Sequence, residues 1–211
     1  KINKDFLKSY IKENNCTLAG VGPMSKNCID VAVNLSNKNN FPLFMICSRR
    51  QIESKQYGGG YVENFDTETF AKYVKKQDKK KTIILSRDHG GPWQNQYDLE
   101  NKVFKKDAFN SAIESFKTDI RSGFKVLHID TSVSPYKNIK KKEINEMLFE
   151  LYAICMDYAK SKNKNIMIEV GTEEQNEYSS SINDIEENLK LINNFCNKFK
   201  FEKPLFFVAQ T

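Results

Sequence analysis

The segment Asp88-His89-Gly90-Gly91-Pro92-Trp93 joins an acid, an imidazole, two glycines, a proline and the sequence's single tryptophan. A neutral imidazole is the commonest side-chain metal ligand, and a neighbouring carboxylate can take or give a proton. Two readings of His89 stand open: a metal ligand, or a residue that caps a strand through hydrogen bonds. His128, the other histidine, lies in Val126-Leu127-His128-Ile129-Asp130. Strand alternation puts His128 and Asp130 on one side, with His128 a layer deeper. His128 reads either as a second ligand or as a satisfied core residue. Asp130, closer to the strand end, is better placed for metal binding or proton transfer. Glu169 holds the corresponding place in the apolar run 165–170, where a buried carboxylate needs a cation, a metal or donors. Two histidines cannot build a three-imidazole site. Imidazole with carboxylates suits a divalent metal, Zn2+ or Mn2+. The expected catalytic residues are Asp88, Asp130 and Glu169, and the expected metal ligands His89 and Glu169.

A second constellation could hold a substrate. Arg49, Arg50, Gln51 and Lys55 lead into Tyr57-Gly58-Gly59-Gly60-Tyr61. Arginine forks and exposed glycine amides fit phosphate or hydroxyl groups; the alternative is an ordinary surface loop. The expected substrate contacts are Arg49, Gln51, Gly59, Arg87, Trp93 and Gln210.

The elements that carry these residues alternate along the chain. Apolar runs at 18–22, 42–47, 82–85, 126–129, 165–170 and 205–209 read as strands. The nearly unbroken run at 42–47 is typical of a strand buried on both faces, hence of a parallel sheet covered by helices. Between the strands, 70–76, 108–122, 143–160 and 182–195 show helical spacing, as do a stretch carrying Ile29 to Leu35 and a leading segment at 6–13. Asp66-Thr67-Glu68-Thr69 offers a helix start and Gly123 a helix stop. The alternation means α/β architecture. Polar clusters follow nearly every strand, which suits a (β/α) barrel with its site at the carboxyl ends of the strands. A doubly wound dinucleotide fold would want a glycine-rich phosphate loop, and Gly20-Val21-Gly22-Pro23 does not supply one. The chain thus reads as a single TIM (β/α) barrel domain over residues 1–211. Six of eight units are visible, and the last two are expected to be missing.

Bulk properties narrow the function classes. The 211 residues are 39% hydrophobic and 28% charged, an ordinary globular balance. A net charge of +6 spread over scattered lysines, without a basic stripe or interleaved aromatics, gives no expectation of a nucleic-acid partner. Five scattered cysteines argue against a disulfide framework and fit a reducing cytoplasm. No apolar stretch is long enough to span a bilayer, and the first residues lack the apolar run of a signal peptide.

These segments resemble the family of the D-tagatose-1,6-bisphosphate aldolase accessory subunit, aldolase-like proteins of galactitol and N-acetylgalactosamine breakdown. The likeness runs through 47–60, through 83–94 with its Asp-His-x-Gly-Pro element, and through Ser122-Gly123-Phe124. It continues in His128-Ile129-Asp130-Thr131-Ser132 and Glu169-Val170-Gly171-Thr172-Glu173. The resemblance implies a TIM barrel related to class II aldolases. It implies Asp88 as the proton-transfer acid, His89 as a ligand, Glu169 near the metal and Asp130 lining the pocket, with further histidine ligands from later strands. It also implies two lines of function. One is metal-dependent aldol cleavage or epimerisation of a ketose or ketose phosphate. The other is a non-catalytic partner that supports a separate catalytic class II aldolase subunit. A homo-oligomer is a further expected assembly.

Overall fold

The computed structural model describes residues 2–136, 139–171 and 182–208. They form six strands: β1 (Ala19–Val21), β2 (Leu43–Ser48), β3 (Ile83–Gly90), β4 (Val126–Asp130), β5 (Met167–Gly171) and β6 (Phe206–Phe207). The described helices are α1 (Lys4–Asn14), α2 (Lys26–Asn39), α3 (Thr67–Gln77), α4 (Gln96–Glu100), α5 (Lys105–Ser122), α6 (Lys141–Ser161) and α7 (Ile182–Phe199). The strands pair in chain order, and every pair is parallel.

Strict chain order decides between the two α/β folds. A doubly wound sheet reverses its order at a switch point, whereas uninterrupted right-handed crossovers leave every connecting helix on one face. The uncovered face must then bury itself by curling. Phe44 on β2 and Phe206 on β6 are four strands apart, roughly 19 Å in a flat sheet at about 4.8 Å per strand. Their ring centroids are 5.8 Å apart. The sheet is therefore a curled half-barrel. The six units expected from the sequence are present, and among the described residues the barrel stays open, since β1 and β6 each pair with one neighbour.

Alternation builds two cores. Outward side chains such as Leu43, Met45, Cys47, Leu85, Leu127, Ile129, Ile168 and Val170 pack beneath α2, α3, α5 and α6. Inward side chains Phe44, Ile84, Val126 and Met167 meet Leu7 of α1, with Phe206 and Leu205 against them. Leu7 seals the floor of the half-barrel. Lys4 fixes the helix by donating to the carbonyls of Lys203 at 2.9 Å and Pro204 at 3.1 Å. Leu7→Ala should lose about 2–5 kcal/mol of stability, read as a lower urea midpoint, because truncating a buried leucine leaves a cavity in this apolar cluster.

Local signals explain most boundaries. Asp66 accepts from the Thr69 amide, and the Thr69 hydroxyl accepts from the Asp66 amide, a reciprocal cap that starts α3. Gly123, at φ 96°, ends α5. β3 departs from expectation: it runs to Gly90 rather than stopping at Leu85, because pairing with β2 continues through Cys47–Arg87 and Ser48–Asp88. Polar side chains do not end a strand whose inner face lines an open mouth. A short 3-10 turn (Lys55–Tyr57) and α4 occupy segments that read as plain loops.

Candidate metal and proton-transfer site

The parity of β3, β4 and β5 sets the site. Asp88 lies on the inward face with Ile84, His128 and Asp130 with Val126, and Glu169 and Gly171 with Met167. In the paired register His128 stands beside Glu169. Between β3 and β4 the register shifts between Arg87 and Gly90. There His89 takes φ 43°, a left-handed conformation unusual for a non-glycine residue. The irregularity turns the imidazole toward β4, as bulges beside functional sites do.

Each acid pairs with the imidazole of the other strand. His89 Nδ1 is 2.7 Å from Asp130 Oδ2, and His128 Nδ1 is 3.6 Å from Asp88 Oδ1. Asp130 is saturated: Gln94 Nε2 donates to Oδ2 at 2.8 Å, while the Ser132 amide at 2.9 Å and hydroxyl at 2.6 Å donate to Oδ1. Its tie to His89 Nδ1 leaves His89 Nε2 facing Asp88 Oδ1 at 3.8 Å. This is the carboxylate–histidine arrangement that fixes the tautomer of a metal-binding imidazole. His128 Nδ1 also lies 3.2 Å from the His89 amide nitrogen, with its Nε2 on the far side of the ring. That Nε2 is buried and has no hydrogen-bond partner among the described residues. A Cβ at Gly171 would lie 2.4 Å from it, so glycine there makes room for the ring.

The electrostatics separate the acids. Burial pushes Asp88 up, but the His128 and His89 rings outweigh it and hold the carboxyl below its ordinary value. Asp130 is likewise lowered: burial opposes, and the His89 hydrogen bond, His128 and Ser132 prevail. The bond to Asp130, against burial, raises His89. Burial raises Glu169, with the neighbouring imidazoles only partly offsetting it. Asp88, His89 and His128 each offer one ligand atom, all within 4.8 Å of one another. A pre-oriented ring nitrogen, a carboxylate and a second imidazole fit a divalent ion.

The expected substrate contacts fare differently. Arg49, Arg87 and Trp93 are sealed inside, at 1%, 1% and 0% exposure. Arg87 faces outward with Leu85; its Nε and Nη2 donate to Asp119 at 2.8 and 2.7 Å, and Nη1 to the carbonyls of Cys47 and Ile52. Arg49 bonds to Glu53, Gly91 and Ser111. Trp93 Nε1 donates to the Val103 carbonyl at 2.9 Å. All three tie loops to the scaffold instead of facing the mouth. Gln51 braces its own loop: its Oε1 accepts from the Ser48 amide at 2.9 Å, and its Nε2 reaches the Pro23 carbonyl at 3.4 Å. Gly59, at φ 71°, sits in the turn after the 3-10 helix. Gln210 lies outside the described residues, as do Thr172 and Glu173.

Residues 4–176 match the family described as D-tagatose-1,6-bisphosphate aldolase subunit GatZ/KbaZ-like. The chain belongs to this GatZ/KbaZ-like family. No curated protein matches it. Solved structures show the same fold at low identity. A Sinorhizobium meliloti 1021 protein described as a probable tagatose 6 phosphate kinase has TM-score 0.69 and 17% identity, covering 87% of this chain and 45% of that one. Fructose-bisphosphate aldolase from Campylobacter jejuni has TM-score 0.60 and 15% identity over 99% and 58%. The YdjI aldolase of Escherichia coli K12 has TM-score 0.55 and 11% identity over 95% and 57%. The chain thus spans about half the length of these structures. Among the described residues no helix is long and apolar enough to cross a membrane.

Several residues that order this region of the GatZ/KbaZ-like chain were not singled out from the sequence. Gln94 and Ser132 orient Asp130, and nothing in their type announces it. Asp119 was more legible, since it sits between Phe116 and Ile120 on the apolar stripe of α5, where an acid requires a buried cation.

Proposed function

We propose that this GatZ/KbaZ-like chain is a metal-dependent enzyme on a ketose or ketose phosphate, cleaving a carbon–carbon bond by retro-aldol reaction or epimerising a carbon beside the carbonyl. The observation that carries the reading is the His89–Asp130 bond, which leaves His89 Nε2 turned toward Asp88 beside the second imidazole. His89 would hold the ion, Zn2+ or Mn2+, with His128, Asp88 or Glu169 completing the donors. When bound, the ion supplies positive charge that polarises a carbonyl or hydroxyl oxygen.

The chain's own groups divide the remaining work. Asp130 orients His89. Asp88, half-buried and kept ionised, accepts a proton at Oδ1. Glu169, pushed toward its neutral form, is the better donor; separating two carboxyls in this way is how acid and base roles are assigned within one site. Gln51, Gly59 and Gln210 are the proposed substrate contacts. Arg49, Arg87 and Trp93 act by holding the loops that carry the site.

A screen of ketoses and ketose mono- and bisphosphates, with and without added Zn2+ or Mn2+, tests the proposal. Turnover by the purified chain, lost on chelation and restored by metal, is the expected result. The family description as an aldolase subunit favours a second reading, a stabilising partner of a catalytic class II aldolase subunit. If the chain alone converts none of these sugars but forms a stable complex with such a subunit and raises its activity, the second reading replaces the first.

A further inference from the structure

One buried cation does more than balance charge: Glu53 already pairs with it, yet its guanidinium reaches further. Arg49, in the loop after β2, sends three bonds in three directions. Nε donates to Glu53 Oε2 at 2.5 Å, Nη2 to Ser111 Oγ on α5 at 3.1 Å, and Nη1 to the Gly91 carbonyl at 2.7 Å. Glu53 is itself fixed by the Ser54 amide and the Ser115 hydroxyl, both at 2.7 Å. Asp98 Oδ2, bonded to Ser111 and Asn95, lies 4.0 Å from Nη1. The fork is thus anchored to the scaffold on two sides and reaches the site on the third.

Its third target stands two residues after His89 and presses on the strand of Asp130. A Cβ at Gly91 would lie 1.9 Å from the Asp130 carbonyl oxygen, so Gly91 is held flush against β4. His89, at φ 43°, occupies a backbone conformation that persists only where surrounding structure enforces it. We propose that Arg49 is a positioning residue of the site: by gripping the Gly91 carbonyl it clamps the 89–91 turn onto β4 and sets the His89–Asp130 pairing. The inference rests on the reading of His89 as a metal ligand. A lysine has the charge but no fork, and can serve one of the three acceptors at a time.

The test compares wild type, Arg49→Lys and Val33→Ala, a truncation on the buried face of α2 that lowers stability without touching the turn. Two readouts are taken: the imidazole nitrogen NMR signals of His89 in metal-free protein, and Co2+ binding with its visible absorption. Arg49→Lys should shift the His89 signals and weaken Co2+ binding roughly 10–100-fold, the usual effect of losing an outer support of a metal ligand. Val33→Ala should change neither. Unmoved His89 signals and unchanged Co2+ affinity in folded Arg49→Lys overturn the proposal, as does an equal response from Val33→Ala. If Arg49→Lys does not fold, Ser111→Ala carries the test: removing one anchor should move the same signals in the same direction, and signals that stay put overturn it. Wild type that binds no Co2+ rejects the metal reading instead, and the His89 signals still decide the role of Arg49.

Discussion

His89→Ala should abolish divalent-metal binding and, with it, any turnover of ketose substrates. Elemental analysis should find a roughly stoichiometric ion in wild type and none in the variant, while the urea midpoint changes little because the ring is 38% exposed. If the bound charge contributes about 4 kcal/mol to the chemical step, the rate falls on the order of 10^3-fold. Asp130→Asn offers a useful contrast. It keeps the shape and the Gln94 neighbourhood but removes the charge that holds the His89 tautomer, so metal should bind roughly 10–100-fold more weakly rather than not at all. A His89→Ala protein that keeps its metal would move the centre elsewhere in the molecule.

Asp119→Ala should be among the most destabilising single changes in the chain. It strands the Arg87 guanidinium, fully buried, without its carboxylate; breaking a buried pair from one side costs about 3–5 kcal/mol. Against a typical total of about 5–15 kcal/mol, that is a large share. Urea denaturation should show a much lower midpoint with an unchanged slope. The double change Arg87→Met with Asp119→Leu should recover much of the loss, since two apolar groups leave no charge unsatisfied. Equal loss in the single and double variants would mean that packing, not the stranded charge, sets the cost.

The architecture was legible where burial writes itself into residue type. The apolar run at 42–47 announced a strand covered on both faces, and β2 spans Leu43–Ser48. Asp66 and Gly123 marked real helix ends. Alternation also puts Asp88, His128 and Asp130 on one face, whereas His89, next to Asp88, joins them only through the register shift at the end of β3. Arg87 was misplaced although the same rule had the answer: it shares parity with Leu85, hence it faces helices and not the mouth. Chemical type suggested a clamp, whereas geometry assigned a bolt. The left-handed turn at His89 had no such signal, since nothing in a histidine codes for positive φ. The curl itself was legible in the polar clusters that follow the strands, but the contact that closes it, Phe44 against Phe206, was not, because those residues are far apart in sequence.

The sealed floor has a consequence for traffic. Among the described residues, Leu7, Phe44, Val126 and Met167, with Phe206 against them, fill the lower interior with apolar side chains, so the polar cluster faces away from that end. A molecule bound at His89 would come and go at the end of the trough away from Leu7, over the segments that follow the strands.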